Sequence, residues 1–446
     1  MRSLPRHVVA LVVSAATAWL ALPAFAQVAG DWPMAGGDPT HRGQASGPAP
    51  PYREAWRADV ESGAMAGPVL AGDVIVVVGR EAVVVLDAGT GAFRWATPRD
   101  EGPAGPAVVT ERGVAVSEGR GKTSEADRGA TIVMRDPEDG GRVWESVVES
   151  PVVGGLTAVH QGGSELVLAG ARDGVLHALD AEDGEEEWTF TGAGALEGAP
   201  AVAGGNAVVV AQDRDTGTAA VHAVDLATGK EDWRLRPEGV SITASSATIA
   251  GDTVVVGFGD VRVRGIDAAT GRLRWQARVR GGFSPRMVPI AADDVTIGDL
   301  FGHVYALAPA TGRERWVQRV PGSFISASPL AVGDAIVVGD RSGQLAAIDT
   351  STGHLVWKLD TGDREIAGLA ADGDRIYASL VNGPVVAFER DPSGTLLDEP
   401  SPTTLFAGRA VLNYAVVAVP MYVVLLLAFR MRRRAPDARP AAEEGG

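Results

Sequence analysis

Seven times along the chain an apolar strand-like run ends in the same frame, with a glycine four places and a tryptophan eight places after one reference position. The frame reads Asp87, Gly91, Trp95; Asp136, Gly140, Trp144; Asp180, Gly184, Trp188; Asp225, Gly229, Trp233; Asp267, Gly271, Trp275; Ala308, Gly312, Trp316; and Asp349, Gly353, Trp357. A unit repeated at this period cannot bury its apolar face alone and must stack on its neighbours, so the chain is read as an array of blades. Within a copy the chemistry is local. The carboxylate at the strand end accepts turn N–H groups, and the glycine takes the positive φ of a tight connection. The next strand, for example Leu273, Trp275, Ala277 and Val279, alternates so that its tryptophan faces inward. The repeat Asp is therefore expected as a turn residue and not a catalyst. Each indole is expected as a wedge between sheets, contributing about 3 kcal/mol by burial.

The two ends complete the pattern. Trp56 lacks a preceding Asp-to-Gly segment, whereas the stretch from Ile366 through Val385, Val386 and Phe388 to Gly394 has the first half of a unit and no tryptophan. If the strand around Trp56 completes the sheet begun near residue 366, the ring closes and neither end exposes a long edge. Trp56, Trp95, Trp144, Trp188, Trp233, Trp275, Trp316 and Trp357 then mark eight blades. Their spacings of 39 to 49 residues hold four short strands each. The expected fold is all-β, an eight-bladed β-propeller of four-stranded blades over residues 27–394, closed by its N-terminal strand. The longest spacing contains Ser117 to Arg128, expected as a protruding polar loop.

Copies such as GVLHALDAEDGEEEW and GQLAAIDTSTGHLVW resemble the repeats of the PQQ-type (quinoprotein-like) eight-bladed propellers. The segment from Asp31-Trp32-Pro33-Met34 to Gly43 resembles their lead-in, and the resemblance spans roughly residues 31–394. It implies the fold and leaves two branches of function. The quinone-dependent alcohol dehydrogenases add a vicinal cysteine pair over the cofactor, long inserts, and Glu, Asn and Asp around calcium with an Asp base. Here there is no cysteine and almost no insertion, so no residue carries over from that site. No cofactor is expected, and PQQ with calcium belongs only to the alternative, a PQQ-dependent alcohol or sugar dehydrogenase. The compact BamB-like, non-catalytic branch is similar in build, although its cysteine-borne lipid anchor is impossible in this chain.

The termini place the propeller. Residues 1–26 carry Arg2 and Arg6, an apolar run from Val8 to Leu22, and Ala24-Phe25-Ala26, the order of a secretory signal peptide. Residues 410–429 are uncharged over the length a helix needs to cross a hydrocarbon core. Arg430, Arg432, Arg433 and Arg434 follow, and cations beside a span are held in the cytoplasm. The expected order is thus signal peptide, external propeller, Pro- and Ser-rich linker over 395–409, one transmembrane helix, and a cytoplasmic tail over 430–446. The chain is expected at the cell membrane.

Charge and composition narrow the function. A formal charge of −16 disfavours nucleic acid as a partner. The absence of cysteine removes disulfides, thiolate metal sites and cysteine nucleophiles. Gly121-Lys122-Thr123 lacks the glycine a phosphate loop requires, because Val116 stands in its place. His177 and His222 occupy equivalent places on different blades and are read as strand filling, while His41, His160, His303 and His354 show no ligand spacing. Acidic turns such as Glu182 to Glu187 lack the alternating oxygen ligands of a calcium loop. The least ordinary feature is basic. Arg272, Arg274, Arg278 and Arg280 alternate away from Trp275, Arg262 and Arg264 lie on the preceding strand, and Arg313, Arg315 and Arg319 lie on the next blade. On an acidic body they are expected to form a positive rim for carboxylate or phosphate groups, with Arg272, Arg274 and Arg280 in partner contact. Solvated arginines paired with nearby acids are the competing expectation. The function expected is a non-catalytic scaffold for an acidic envelope or membrane protein.

Overall fold

The computed structural model describes residues 32–397 except 61–62, 101–104, 120–128, 214, 239–243, 284–289, 292–293, 322–323 and 363. The expected signal peptide, transmembrane helix, tail and most of the linker lie outside the described residues, as does most of the loop expected over 117–128. No helix among the described residues is long and apolar enough to cross a membrane.

Eight sheets follow one another along the chain. Blades 1 to 7 cover residues 69–98, 108–148, 152–191, 195–235, 248–278, 290–319 and 330–360. Blade 8 joins Ile366–Ala371, Arg375–Leu380 and Val385–Arg390 to the distant strand Tyr52–Ala58. That pairing is antiparallel, with Trp56 opposite Ala387 and Arg57 opposite Val386. Arg53 and Glu389, also opposite one another, form a 2.6 Å ion pair. The innermost strand of blade 1, Val69–Ala71, touches both Val108–Val109 of blade 2 and Ile366–Ala371 of blade 8, so the ring is closed.

The repeat chemistry is as expected at the turns. Asp87 accepts the Thr90 N–H (2.9 Å), Asp267 accepts that of Thr270 (2.9 Å), and the Gly91 N–H returns to the Asp87 carbonyl (2.8 Å). Where Ala308 replaces Asp, the Gly312 N–H still reaches its carbonyl at 2.8 Å, so the backbone turn survives without a carboxylate. The tryptophans stand on the outermost strand of each blade and lean on the next one. Trp275 Nε1–H donates to the Pro309 carbonyl at 2.7 Å, Trp233 to Ala268 at 2.8 Å, and Trp56 to Ala88 at 3.1 Å. The repeat glycine has a second duty besides its positive φ. A Cβ on Gly91 would lie 2.5 Å from Trp56 Cε3, and one on Gly271 2.6 Å from Trp233 Cε3, so each glycine is the floor on which the preceding blade's indole rests.

The sheets of blades 4 and 7 have five strands where four are expected, the fifth in blade 7 being Gln44–Ala45 of the lead-in, paired parallel to Leu330–Val332; three further features depart from the simple pattern. A β-bulge precedes each blade tryptophan; in blade 5, Trp275 faces Gly265 while Leu273 faces the adjacent Ile266. The extra residue breaks the alternation. Leu273 and its counterpart Phe93 therefore point to solvent, at 46% and 65% exposure, and do not share the tryptophan's buried side. The seam between blades 7 and 8 is built differently. Trp357 meets the edge of Tyr52 at 5.0 Å and 90°, and Gly394 faces Pro51 in place of an indole. Finally, Ser117 and Glu118 lie within the strand Val114–Gly119 and are buried, the Ser117 hydroxyl donating to the Val152 carbonyl at 3.3 Å and the Glu118 carboxylate forming a 2.6 Å ion pair with buried Arg135.

Antiparallel strands put the first and third hairpin turns of every blade on one side of the ring, here the turn face. The second hairpin turns and the blade-to-blade connections lie on the other, the connector face.

Candidate functional site

The lead-in from Trp32 runs along the free inner edges of the blades. The Leu70 N–H donates to Trp32 O (2.8 Å), Val109 to Pro33 O (2.8 Å), Val202 to Pro39 O (2.6 Å), Ile249 to Thr40 O (2.8 Å) and Ala331 to Gly43 O (2.8 Å). Backbone groups that would otherwise face an open channel are thereby satisfied. His41 is fully buried in this lead-in, with Nδ1 2.7 Å from the Ala247 carbonyl, and burial lowers its pKa.

Above the lead-in the inner strands meet through small residues. A Cβ on Gly67 would approach Gly368 Cα at 3.3 Å, and one on Gly198 would fall 2.5 Å from Ser246 Oγ. Among the described residues, one cavity of about 440 Å³ is lined by Asp38, Arg42, Gln44, Ala45, Ser46 and Gly333; another, of about 140 Å³, is lined mainly by Gly, Ala, Pro and Ser, with Glu365 as its carboxylate. That carboxylate is 3.4 Å from Arg341. Ligand pockets are ordinarily about 300–1,000 Å³. No group of three His, Asp or Glu side chains suited to a metal ion occurs among the described residues.

The histidines and acidic turns have local roles. His177 Nδ1 is 2.7 Å from Glu186, and His222 Nδ1 is 2.6 Å from Glu231, each pair joining the third and fourth strands of its own blade. Asp180 accepts the Glu182 N–H at 2.7 Å, closing the acidic turn of blade 3.

The arginines divide into two sets. Arg264 is buried, pairs with Asp260 at 2.6 Å and lies 4.9 Å over the Phe258 ring, while Arg262 reaches the same carboxylate at 3.1 Å. Arg274 bridges Asp252 and Asp267, both at 2.5 Å, and Arg315 pairs with Asp294 at 2.6 Å. By contrast, Arg272, Arg278, Arg280, Arg313 and Arg319 are exposed, and their guanidinium groups have no carboxylate partner among the described residues. The strand directions separate these five again. Arg272 and Arg313 follow the repeat turns on the turn face, whereas Arg278, Arg280 and Arg319 end their strands on the connector face. Beside the latter stand Phe301 and Phe324, 58% and 37% exposed, and Arg341. Sequence reasoning missed these three. One signal was available: GDLFGHVYAL aligns with GDRSGQLAAI, so Phe301 occupies a place where blade 7 has Ser342.

The Asp267 bridge makes a pH-dependent prediction. The Thr270 hydroxyl and the Arg274 guanidinium hold its carboxyl down to about 2, against 3.8 ordinarily. A depressed carboxyl stabilises the fold above its unfolded pKa and loses that contribution as pH falls through the folded value. Asp267→Asn is expected to lower the urea midpoint at neutral pH, and its difference from the unaltered protein should shrink between about pH 4 and pH 2.

The closed ring, the wedge tryptophans and the Asp-to-Gly turns define an eight-bladed propeller of the PQQ-repeat class. A family profile described as outer membrane protein assembly factor BamB matches residues 128–286 and 281–404. Those segments span more than half of the chain, which therefore belongs to that family. Among solved structures it is similar to BamB from Moraxella catarrhalis, with a TM-score of 0.61 and 18% identity over 77% of this chain and 99% of that one. It is similar also to quinohemoprotein alcohol dehydrogenase from Comamonas testosteroni, with a TM-score of 0.61 and 14% identity over 85% and 84%. The computationally designed Ika8 protein superposes with a TM-score of 0.60 and 18% identity over 76% and 99%. At such identities these likenesses concern the fold. No curated protein gives a significant match.

Proposed function

We propose that the chain is a non-catalytic, extracytoplasmic scaffold that presents its propeller faces to an envelope protein and is held at the membrane by residues 410–429. The observation that carries the reading is the lead-in bonded along the inner strands. Inner strands meet through glycine and serine, and the lead-in occupies their free edges, an arrangement that supports a rigid body presenting its faces. Membership in a family described as an assembly factor points the same way, because an assembly factor works through a bound partner. The anchoring, orientation and external location are supported by the sequence patterns of residues 1–26, 410–429 and 430–434. The partner is expected to be acidic, since blades 5 and 6 gather five exposed arginines without a carboxylate partner among the described residues on a body of net charge −16.

The alternative is a PQQ-dependent alcohol or sugar dehydrogenase, motivated by the fold shared with the quinohemoprotein enzyme. Purified protein incubated with PQQ and calcium should show no dye reduction above the cofactor-free control across a panel of alcohols and sugars. Substrate-dependent reduction that requires PQQ would replace the scaffold reading with the enzymatic one.

A further inference from the structure

We propose that the connector face of blades 5 to 7 is the docking site, and that its ligand is an extended acidic polypeptide segment. Phe301 and Phe324 are the apolar anchors, and Arg278, Arg280 and Arg319 receive carboxylates. This deepens the scaffold reading and rests on it.

The first observation is a comparison within the molecule. Asp299 of blade 6 folds its turn by accepting the N–H groups of Phe301 (2.8 Å) and His303 (2.9 Å). Asp340 of blade 7 does the same with Ser342 (2.8 Å) and Gln344 (2.9 Å). The two turns are equivalent, so the turn itself has no need of an aromatic ring. Phe301 nevertheless stands at the tip, more than half exposed. One edge of its ring rests on Gly281, where a Cβ would fall 2.6 Å from Phe301 Cδ2, and the rest faces solvent.

The second observation is continuity. Gly281 directly follows Arg280, whose N–H donates to the Tyr305 hydroxyl at 2.9 Å and so ties the end of blade 5 to blade 6. The Gly302 carbonyl accepts the Val320 N–H at 2.9 Å, and Arg319 pairs in register with His303, which places Arg319 beside the same turn. The Arg341 N–H then reaches Phe324 O at 3.1 Å, and its guanidinium lies 5.8 Å from the Phe324 ring. A single connected surface therefore carries two exposed phenyl rings among arginines, the composition enriched at protein-binding hot spots.

Charge selects the occupant. Arg278 stands directly opposite Arg262 across the sheet, and facing like charges are unfavourable. Asp260 relieves Arg262, but nothing among the described residues relieves Arg278. An incoming carboxylate would. On a body of net charge −16 this cluster of arginines attracts an acidic segment that acidic surface elsewhere disfavours. Extended chain suits a surface spread over three successive blades.

The test uses the full chain in phosphatidylcholine nanodiscs and a short fluorescein-labelled peptide of alternating Glu and Leu, read by fluorescence anisotropy. Binding is expected and should weaken with added salt. The combined R278E, R280E and R319E variant should lose it. Phe301→Ser, which installs the blade 7 residue, should weaken it about tenfold with the melting temperature unchanged. Reversing Arg272 and Arg313 on the opposite face should leave it within about twofold. Equal loss from that opposite-face control, persistence of binding in the combined variant, or binding of phosphatidylglycerol vesicles and not of the peptide would each overturn the proposal. PQQ-dependent turnover in the same preparation would sink the scaffold reading as well. Failure of peptide binding without turnover sinks this site alone.

Discussion

Removing residues 32–58 is expected to abolish the monomeric, cooperatively melting propeller. The deletion takes away the outermost strand of blade 8, the lead-in that covers the inner strand edges, and the buried rings of Trp32 and Tyr52. Each ring contributes about 2–3 kcal/mol by burial, a large share of the roughly 5–15 kcal/mol net stability of a folded domain. The deletion also leaves Val385–Arg390 as a naked edge next to an exposed apolar seam, and such an edge pairs with other chains. Size-exclusion chromatography should show aggregates or oligomers, and the far-ultraviolet melt should lose its sharp transition. A monomer that melts like the intact chain would mean that the N-terminal segment is an accessory.

The second large effect is expected at Trp275. Its indole is enclosed between Gly265 of its own sheet and Gly312 of blade 6, and its Nε1–H satisfies the Pro309 carbonyl. Trp275→Ala opens a cavity at a blade interface and should cost about 3–5 kcal/mol in equilibrium urea unfolding. Trp275→Phe keeps most of the apolar volume but orphans the Pro309 carbonyl, so a loss of about 1–3 kcal/mol is expected. The ordering Trp, Phe, Ala is the informative part. If Phe and Ala cost the same, the hydrogen bond and not the wedge dominates.

Much of this architecture was legible because the period is enforced by physics at each copy. An Asp-to-Gly turn and an indole eight places on leave few alternatives, and the half-units around Trp56 and Ile366 could only complement one another. What escaped has equally local reasons. The bulge before each tryptophan depends on backbone pairing across strands, which residue identity does not encode, so Leu273 was read as inward-facing. The glycine's second role, as a floor for the neighbouring indole, appears only when two blades are placed side by side. Tyr52 substitutes for the glycine floor at the seam because Gly394 there faces Pro51, a relation spanning almost the whole chain. At the candidate site the arginines were visible but their grouping was not. Strand direction sends Arg272 and Arg278, six positions apart, to opposite faces, and only the fold shows that Asp252, Asp260, Asp267 and Asp294 already occupy Arg262, Arg264, Arg274 and Arg315.

The two ends of the propeller form one sheet, and everything else in the ring depends on that closure. Because the chain contains no cysteine, a pair introduced at Arg53 and Glu389 would be its only thiols. These residues are register partners across the closing strands, a spacing compatible with a disulfide. Under mild oxidation the Arg53→Cys, Glu389→Cys protein should cross-link within single chains nearly completely, while a control pairing Arg53→Cys with Glu314→Cys of blade 6 should not. Absence of the bond in folded protein, or a bond that joins different chains, would contradict a ring closed by its own termini.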